Sequence, residues 1–178
     1  MENSEQILIS RAQGGEQAAF QQLLTQHYSM IYRVAYRFTG KTQDAEDIAQ
    51  DVCMKLATKI RSFNNESNFS TWLYRVVVNA CRDMQRKDIS QRNIQSNYME
   101  FEYNDRENDN DNKRKIAWLY RSISGLEQSL KETALLILTE QLSHAEAGKI
   151  LGCAESTISW RMHEVRKQLK IAMGNGNE

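Results

Sequence analysis

Residues 142–169, LSHAEAGKILGCAESTISWRMHEVRKQL, carry the densest local signals in the chain. Ser143 is a good helix cap, and Glu146 three residues later completes a capping box, in which each side chain satisfies a backbone N–H of the other residue. The short helix so started carries Ala147, Ile150 and Leu151, with Gly148 where two helices must approach closely. Gly152 permits a left-handed turn residue at no steric cost. A second helix follows from about Glu155. On it Ile158, Met162, Val165 and Leu169 recur at steps of four, three and four, the spacing of one buried face. Together these features predict a helix-turn-helix.

The other side of that second helix presents Ser156, Thr157, Ser159, Trp160, Arg161, His163, Arg166 and Lys167. Hydroxyls donate to phosphates or base edges, and guanidinium groups supply forked donors for guanine or phosphate. A helix so decorated, second in its pair, fits the major groove of DNA. The alternative is a helical hairpin with a solvated polar face. Agreement of cap, glycine, stripe and basic face favours DNA binding. Trp160 is exposed by periodicity, and DNA, a thymine methyl and a partner domain all stay open as its contact.

Upstream, Ile116, Leu119, Tyr120 and Ile123 share a helical face, Gly125 gives a turn, and Leu130, Ala134, Leu135, Ile137 and Leu138 mark a further helix. These predict a helical domain over 113–173 and a disordered tail at 174–178. Before it, residues 91–112 read as a flexible acidic linker, with local ordering around Tyr98, Phe101 and Tyr103. Its acids are Glu100, Glu102, Asp105, Glu107, Asp109 and Asp111, against Arg92 and Arg106 alone. The formal net charge of zero therefore averages an acidic segment with two slightly basic flanks.

Residues 1–90 read as helices throughout. Ile7, Leu8 and Ala12 begin a short one that Gly14-Gly15 ends. Ala19, Phe20, Leu23, Leu24, Tyr28, Ile31, Tyr32, Ala35 and Tyr36 then mark one amphipathic helix or a pair, stopping at Gly40. Thr42 is the expected cap of the next helix, whose buried stripe is Ala45, Ile48, Val52, Leu56 and Ile60. Asp44, Glu46 and Asp47 lie in its first turns, where acids suit the helix dipole. After the loop SFNNESNFS (62–70), Ser70 or Thr71 caps a helix carrying Trp72, Leu73, Val76, Val77, Ala80, Cys81 and Met84.

The chain is thus expected to be all-α, with two small helical domains, an N-terminal bundle and a C-terminal helix-turn-helix bundle. The absence of proline agrees, since proline breaks helix interiors. Cys53, Cys81 and Cys153 form no CxxC pair and read as buried, reduced thiols. His144, His163 and Cys153 match no zinc-ligand spacing. The polar, acidic start MENSEQILIS has no signal-peptide pattern, and no apolar run is long enough to cross a bilayer, so a cytoplasmic location is expected. No nucleophile–base pair or phosphate-binding glycine loop is visible. Hence no enzyme activity, cofactor, metal or small-molecule substrate is expected.

Both halves together resemble the sigma-70 family of bacterial transcription initiation factors, in particular its small extracytoplasmic-function (ECF) group. The resemblance rests on AFQQLLTQHYSMIYRVAYRFTG, DAEDIAQDVCMKL and SFNNESNFSTWLYRVVVNACRD in the first half, and on the helix-turn-helix in the second. It implies that the helix bearing Asp44, Glu46, Asp47, Gln50 and Asp51 docks on the clamp helices of the largest subunit of core RNA polymerase. A helix start decorated with acids for the dipole alone is the competing reading of those residues. The resemblance further implies that the loop, through Asn64, Asn65, Ser67 and Asn68, and the helix after it, through Arg75, Asn79, Arg82, Arg86 and Lys87, recognise and open the −10 promoter element. Phe63 and Phe69 would line a base pocket or anchor the loop, and Trp72 would pack in the core or stack on a base, with packing favoured by its neighbours. The second helix of the C-terminal motif would read the −35 element, Arg161 and Arg166 foremost. Implied partners are core polymerase, including the flap of its second-largest subunit, promoter DNA and an anti-sigma factor. Two departures from the family pattern stand out. GLEQSLKE lacks the proline that usually opens the C-terminal domain, and Ala147 replaces a larger aliphatic residue, which predicts looser packing of the first helix of the motif. A ligand-sensing helix-turn-helix regulator and a polymerase-binding protein without initiation activity are the rival functions.

Overall fold

The computed structural model of the chain describes residues 2–91 and 110–174. Among the described residues every regular element is helical, and no helix is long and apolar enough to cross a membrane. The chain divides into two compact units, Met1–Asn93 and Ile94–Glu178. Most of the 91–112 segment read as a linker and most of the 174–178 tail lie outside the described residues. Of the linker, Gln91 ends one helix and 110–112 begin another.

The first unit contains α1 (Glu2–Gln13), α2 (Gln17–Thr39), α3 (Thr42–Lys59), a 3-10 turn at Ile60–Ser62, and α4 (Phe69–Gln91). α2 is the central element and packs against the other three helices. Leu23, Ile31, Val34 and Phe38 of α2 meet Ile48, Val52 and Leu56 of α3 and Leu73, Val77 and Cys81 of α4 in the buried core. Each such large side chain contributes about 1.5–3 kcal/mol on leaving water. Gly40 ends α2 at φ 74, where its N–H bonds Tyr36 O at 2.7 Å.

Several details differ from expectation. The two amphipathic segments of α2 are one continuous 23-residue helix. Tyr28 is exposed, because the position four after Leu23 and four before Ile31 is occupied by half-buried His27. In α1 the buried edge is Leu8, Ile9 and Ala12, while Ile7 faces water. Thr42 does not cap α3. The left-handed turn at Gly40 makes Lys41 the extended residue before the helix, without a side-chain cap, and Thr42 is already helical. Neither Ser70 nor Thr71 caps α4, which begins at Phe69, with Trp72 N–H bonding Asn68 O. All three cysteines are free, but only Cys81 is buried. Cys53 and Cys153 are half-exposed, and partial burial pushes the Cys53 thiol up.

The second unit contains α5 (Asn110–Ser124), α6 (Gln128–Ala134) running into a π-helical turn at Leu135–Thr139, α7 (His144–Leu151) and α8 (Glu155–Gly174). Its core joins Ile123, Leu130, Leu135 and Leu136 to Ile150, Ile158, Met162 and Val165. Glu127 caps α6 without any proline. Its carboxylate accepts from Ser129 N–H at 3.1 Å and from the Ser129 hydroxyl, which holds the carboxyl below the usual range. The π turn alters the register of the apolar stripe. Leu136 enters the core, whereas Leu138, expected there, is exposed. A wider turn rotates each later side chain backward relative to an α-helical count.

Candidate nucleic-acid interface

The helix-turn-helix is built from contacts a few residues apart. Ser143 Oγ accepts from Glu146 N–H at 3.2 Å, and the Glu146 carboxylate accepts from Ser143 N–H at 2.9 Å and its hydroxyl at 2.6 Å. Those bonds hold the Glu146 carboxyl below its ordinary value. Gly152 takes φ 73, and Gly148 O accepts from both Gly152 N–H and Cys153 N–H. A Cβ on Gly148 would lie 2.8 Å from Cys153 O, so only glycine lets the turn close on α7. Ala147 is fully buried beside it. The close approach of the two helices is made at Gly148 itself.

α8 carries two stripes of identical four-three-four spacing. Ile158, Met162 and Val165 are buried and Leu169 is half-buried. Ser156, Trp160, His163 and Lys167, at the same steps, are all exposed, Trp160 at 64%. Lys167 Nζ lies 3.8 Å from Glu164 Oε2. Arg161 and Arg166 sit on opposite flanks of this outward stripe, by the 100° step of the helix. Arg166 is exposed. Arg161 is half-buried, with Nη1 3.9 Å from Cys153 Sγ, and its charge acts on the Glu127 carboxylate. Ser159, although exposed, is engaged. Its hydroxyl donates to Glu155 O at 3.1 Å, leaving its oxygen to accept from His144 Nδ1 at 2.9 Å. Thr157 is half-buried. His144 therefore joins α7 to the start of α8, a role no local pattern indicates.

In the first unit the loop after the 3-10 turn exposes Asn64, Asn65 and Asn68, with Ser67 half-exposed. Asn64 Oδ1 accepts from Glu66 N–H at 3.4 Å, Ser67 Oγ donates to Asn68 O at 3.4 Å, and Asn65 adopts φ 60. Asparagine tolerates that left-handed region better than most side chains. The flanking Phe63 and Phe69 are buried anchors, not an open pocket. Their ring centroids lie 5.3 Å apart, Trp72 lies 5.4 and 5.5 Å from them, and His27 meets Phe69 edge-on at 5.1 Å. Trp72 is thus a half-buried member of an aromatic cluster beneath the loop.

Along α4, Arg75, Asn79, Arg82 and Arg86 again follow four-three-four steps, with Arg75, Asn79 and Arg86 exposed and Arg82 half-exposed. Arg82 Nη1 reaches Asn79 Oδ1 at 3.5 Å, and Arg86 pairs with Asp83 at 2.6 Å. Lys87 is exposed. On α3, Glu46, Asp47 and Gln50 are exposed, Asp44 and Asp51 half-exposed, and Asp51 pairs with Lys55 at 2.6 Å. Met54 stands four residues after Gln50 in the same outward row, 70% exposed. Met54 is absent from the expected docking residues, although an apolar residue at that spacing on a polar face is a signal the sequence carries.

Residues 23–90 match the family model of sigma-70 region 2. Over 166 residues the chain is 28% identical to the ECF RNA polymerase sigma factor SigE of Mycolicibacterium smegmatis, covering 88% of this chain and 63% of that relative. It is 27% identical to the ECF RNA polymerase sigma factor SigW of Bacillus subtilis over 178 residues, covering 91% and 92% of the two chains. The chain therefore spans less than two thirds of the first relative and most of the second. Among solved structures, CnrH in complex with the cytosolic domain of CnrY shares the fold at TM-score 0.71 and 22% identity, over 98% of this chain and 99% of its own. RpoE of Bartonella quintana, solved with the anti-sigma factor NepR, aligns at TM-score 0.69 and 25% identity over 87% and 96%.

Proposed function

From a chain that belongs to the ECF group of the sigma-70 family, we propose a factor that binds core RNA polymerase and directs it to promoters with a −35 and a −10 element. The observation that carries the reading is the outward row Ser156, Trp160, His163 and Lys167 directly opposite the buried row of α8. That row, with Arg166 on its flank, has the donors and apolar surface a major groove accepts. The second unit, residues 113–173, would read the −35 element. The first, residues 1–90, would dock polymerase and open the −10 element. There Asn64, Asn65, Ser67 and Asn68 would meet an unstacked base, and Arg75, Asn79, Arg82 and Arg86 would follow the phosphates. The acidic row of α3, with exposed Met54 one turn beyond Gln50, would meet a basic surface on the clamp helices. An anti-sigma protein is the further partner to expect, as NepR is for the Bartonella quintana protein.

Run-off transcription with purified core enzyme tests this. Core plus this chain should transcribe from a selected promoter, with binding that weakens steeply as salt rises. Arg166→Ala should weaken promoter binding by about 1–3 kcal/mol, chiefly through the upstream element. Asp47→Ala should weaken core binding by about 1 kcal/mol, roughly fivefold. Absence of any promoter-dependent transcript, with another sigma factor active on the same core, would sink the proposal.

A further inference from the structure

Helix α1 carries none of the residues assigned to polymerase or DNA. Its buried edge packs it against α2 and the 3-10 turn. At its last residue, the Gln13 amide donates to two backbone carbonyls, Ile60 O at 2.9 Å and Phe63 O at 2.7 Å. Both N–H groups of one amide are therefore spent on the two ends of the turn from which the loop departs. Seven residues earlier, on the same face of the helix, Gln6 Nε2 donates to Asn65 Oδ1 at 3.2 Å, at the loop's tip. Beside it, Glu5 meets His27 Nε2 at 3.1 Å, and the His27 ring rests on Phe69, where the loop re-enters the bundle. α1 thus reaches the loop's start and tip directly, and its end through His27.

We propose that α1 is a strap that holds the 63–68 loop in its reading conformation, with Gln13 as the principal positioning residue and Gln6 as a second one acting on Asn65. The proposal rests on the reading of that loop as a −10 element reader. Asn65 sits at φ 60, and Asn64, Asn65 and Asn68 present their amides to solvent. A left-handed residue in an exposed loop keeps one geometry when surrounding contacts over-determine it. Recognition of a base edge needs its donors and acceptors held to within about 0.5 Å, which a freely moving loop does not provide.

The test uses holoenzyme formed from core polymerase and the full chain, transcribing a duplex promoter library randomised across the −10 element. Gln13→Glu keeps the shape but sets carboxylate oxygens against the two carbonyls. It should reduce the ratio of best to median promoter output by about fivefold, the order expected for net loss of hydrogen bonding. Affinity for core polymerase should stay within about twofold, because the α3 face is untouched. Gln13→Lys, which restores a donor, should recover part of the preference. An unchanged profile for Gln13→Glu, no rescue by Gln13→Lys, or an equal loss of core binding would each overturn the strap. Should Gln13→Glu fail to fold, Gln6→Ala decides, because its bond is exposed. It should flatten preference at one promoter position, and an unaltered profile overturns the proposal. If wild-type holoenzyme transcribes no library member, the promoter-reading function itself fails. Selective wild-type transcription with unaltered variants removes the strap alone.

Discussion

The helix-turn-helix of the second unit and the asparagine loop of the first are both candidate DNA-reading surfaces, yet they are held in opposite ways. The helix-turn-helix is closed by bonds between near neighbours: Ser143 with Glu146, Gly152 and Cys153 with Gly148. The loop is held by partners far along the chain, Gln13 to Ile60 and Phe63, Gln6 to Asn65, and His27 to Phe69. A surface made by local bonds tolerates change elsewhere in its unit. One made by distant contacts inherits every defect in the bundle beneath it.

The largest expected effect breaks that dependence at its root. Phe69→Ala removes the ring on which Phe63, Trp72 and His27 converge, and should cost the first unit about 3–5 kcal/mol in denaturant unfolding. A cost below about 1 kcal/mol would mean the loop supports itself, and the contrast would collapse. Next, Gly148→Ala forces a Cβ against Cys153 O and should destabilise the second unit by about 1–3 kcal/mol in thermal melts. A neutral result would show that the turn yields, so that its geometry is not set locally. The smallest effect is that of Ser143→Ala, about 1 kcal/mol through loss of the capping box. It also carries a pH signature. Glu146 has a depressed folded pKa, so its contribution is full above the ordinary glutamate value and disappears as pH falls through the folded value. In the variant, stability of the second unit should fall less steeply in that acid window.

The same contrast explains what was legible beforehand. Capping box, turn glycine and the 158–162–165 stripe depend on residues within a turn or two of one another, and all are present as read. Two departures share another cause. Tyr28 was assigned to a stripe that the structure routes through His27, and Leu138 to one that the π turn shifts to Leu136. Arg161 stands on the flank of α8 by the helical step alone, and its half-burial beside Cys153 is what the other elements add. Period counting assumes a uniform helix and sees no neighbour from another element. Packing is the favoured reading of Trp72 from its neighbours, and the ring's place depends on Phe63 and Phe69 across the loop.

That the chain is helical, where most helices stop, and which row of α8 faces inward follow from backbone propensity and from spacing along one helix. Packing of one helix on another settled that Phe63 and Phe69 anchor the loop, that Gln13 braces its start and that His144 ties α7 to α8. Those outcomes depend on which surfaces meet after the helices pack, and residues some 15 to 50 positions apart leave no mark of their meeting in the local pattern.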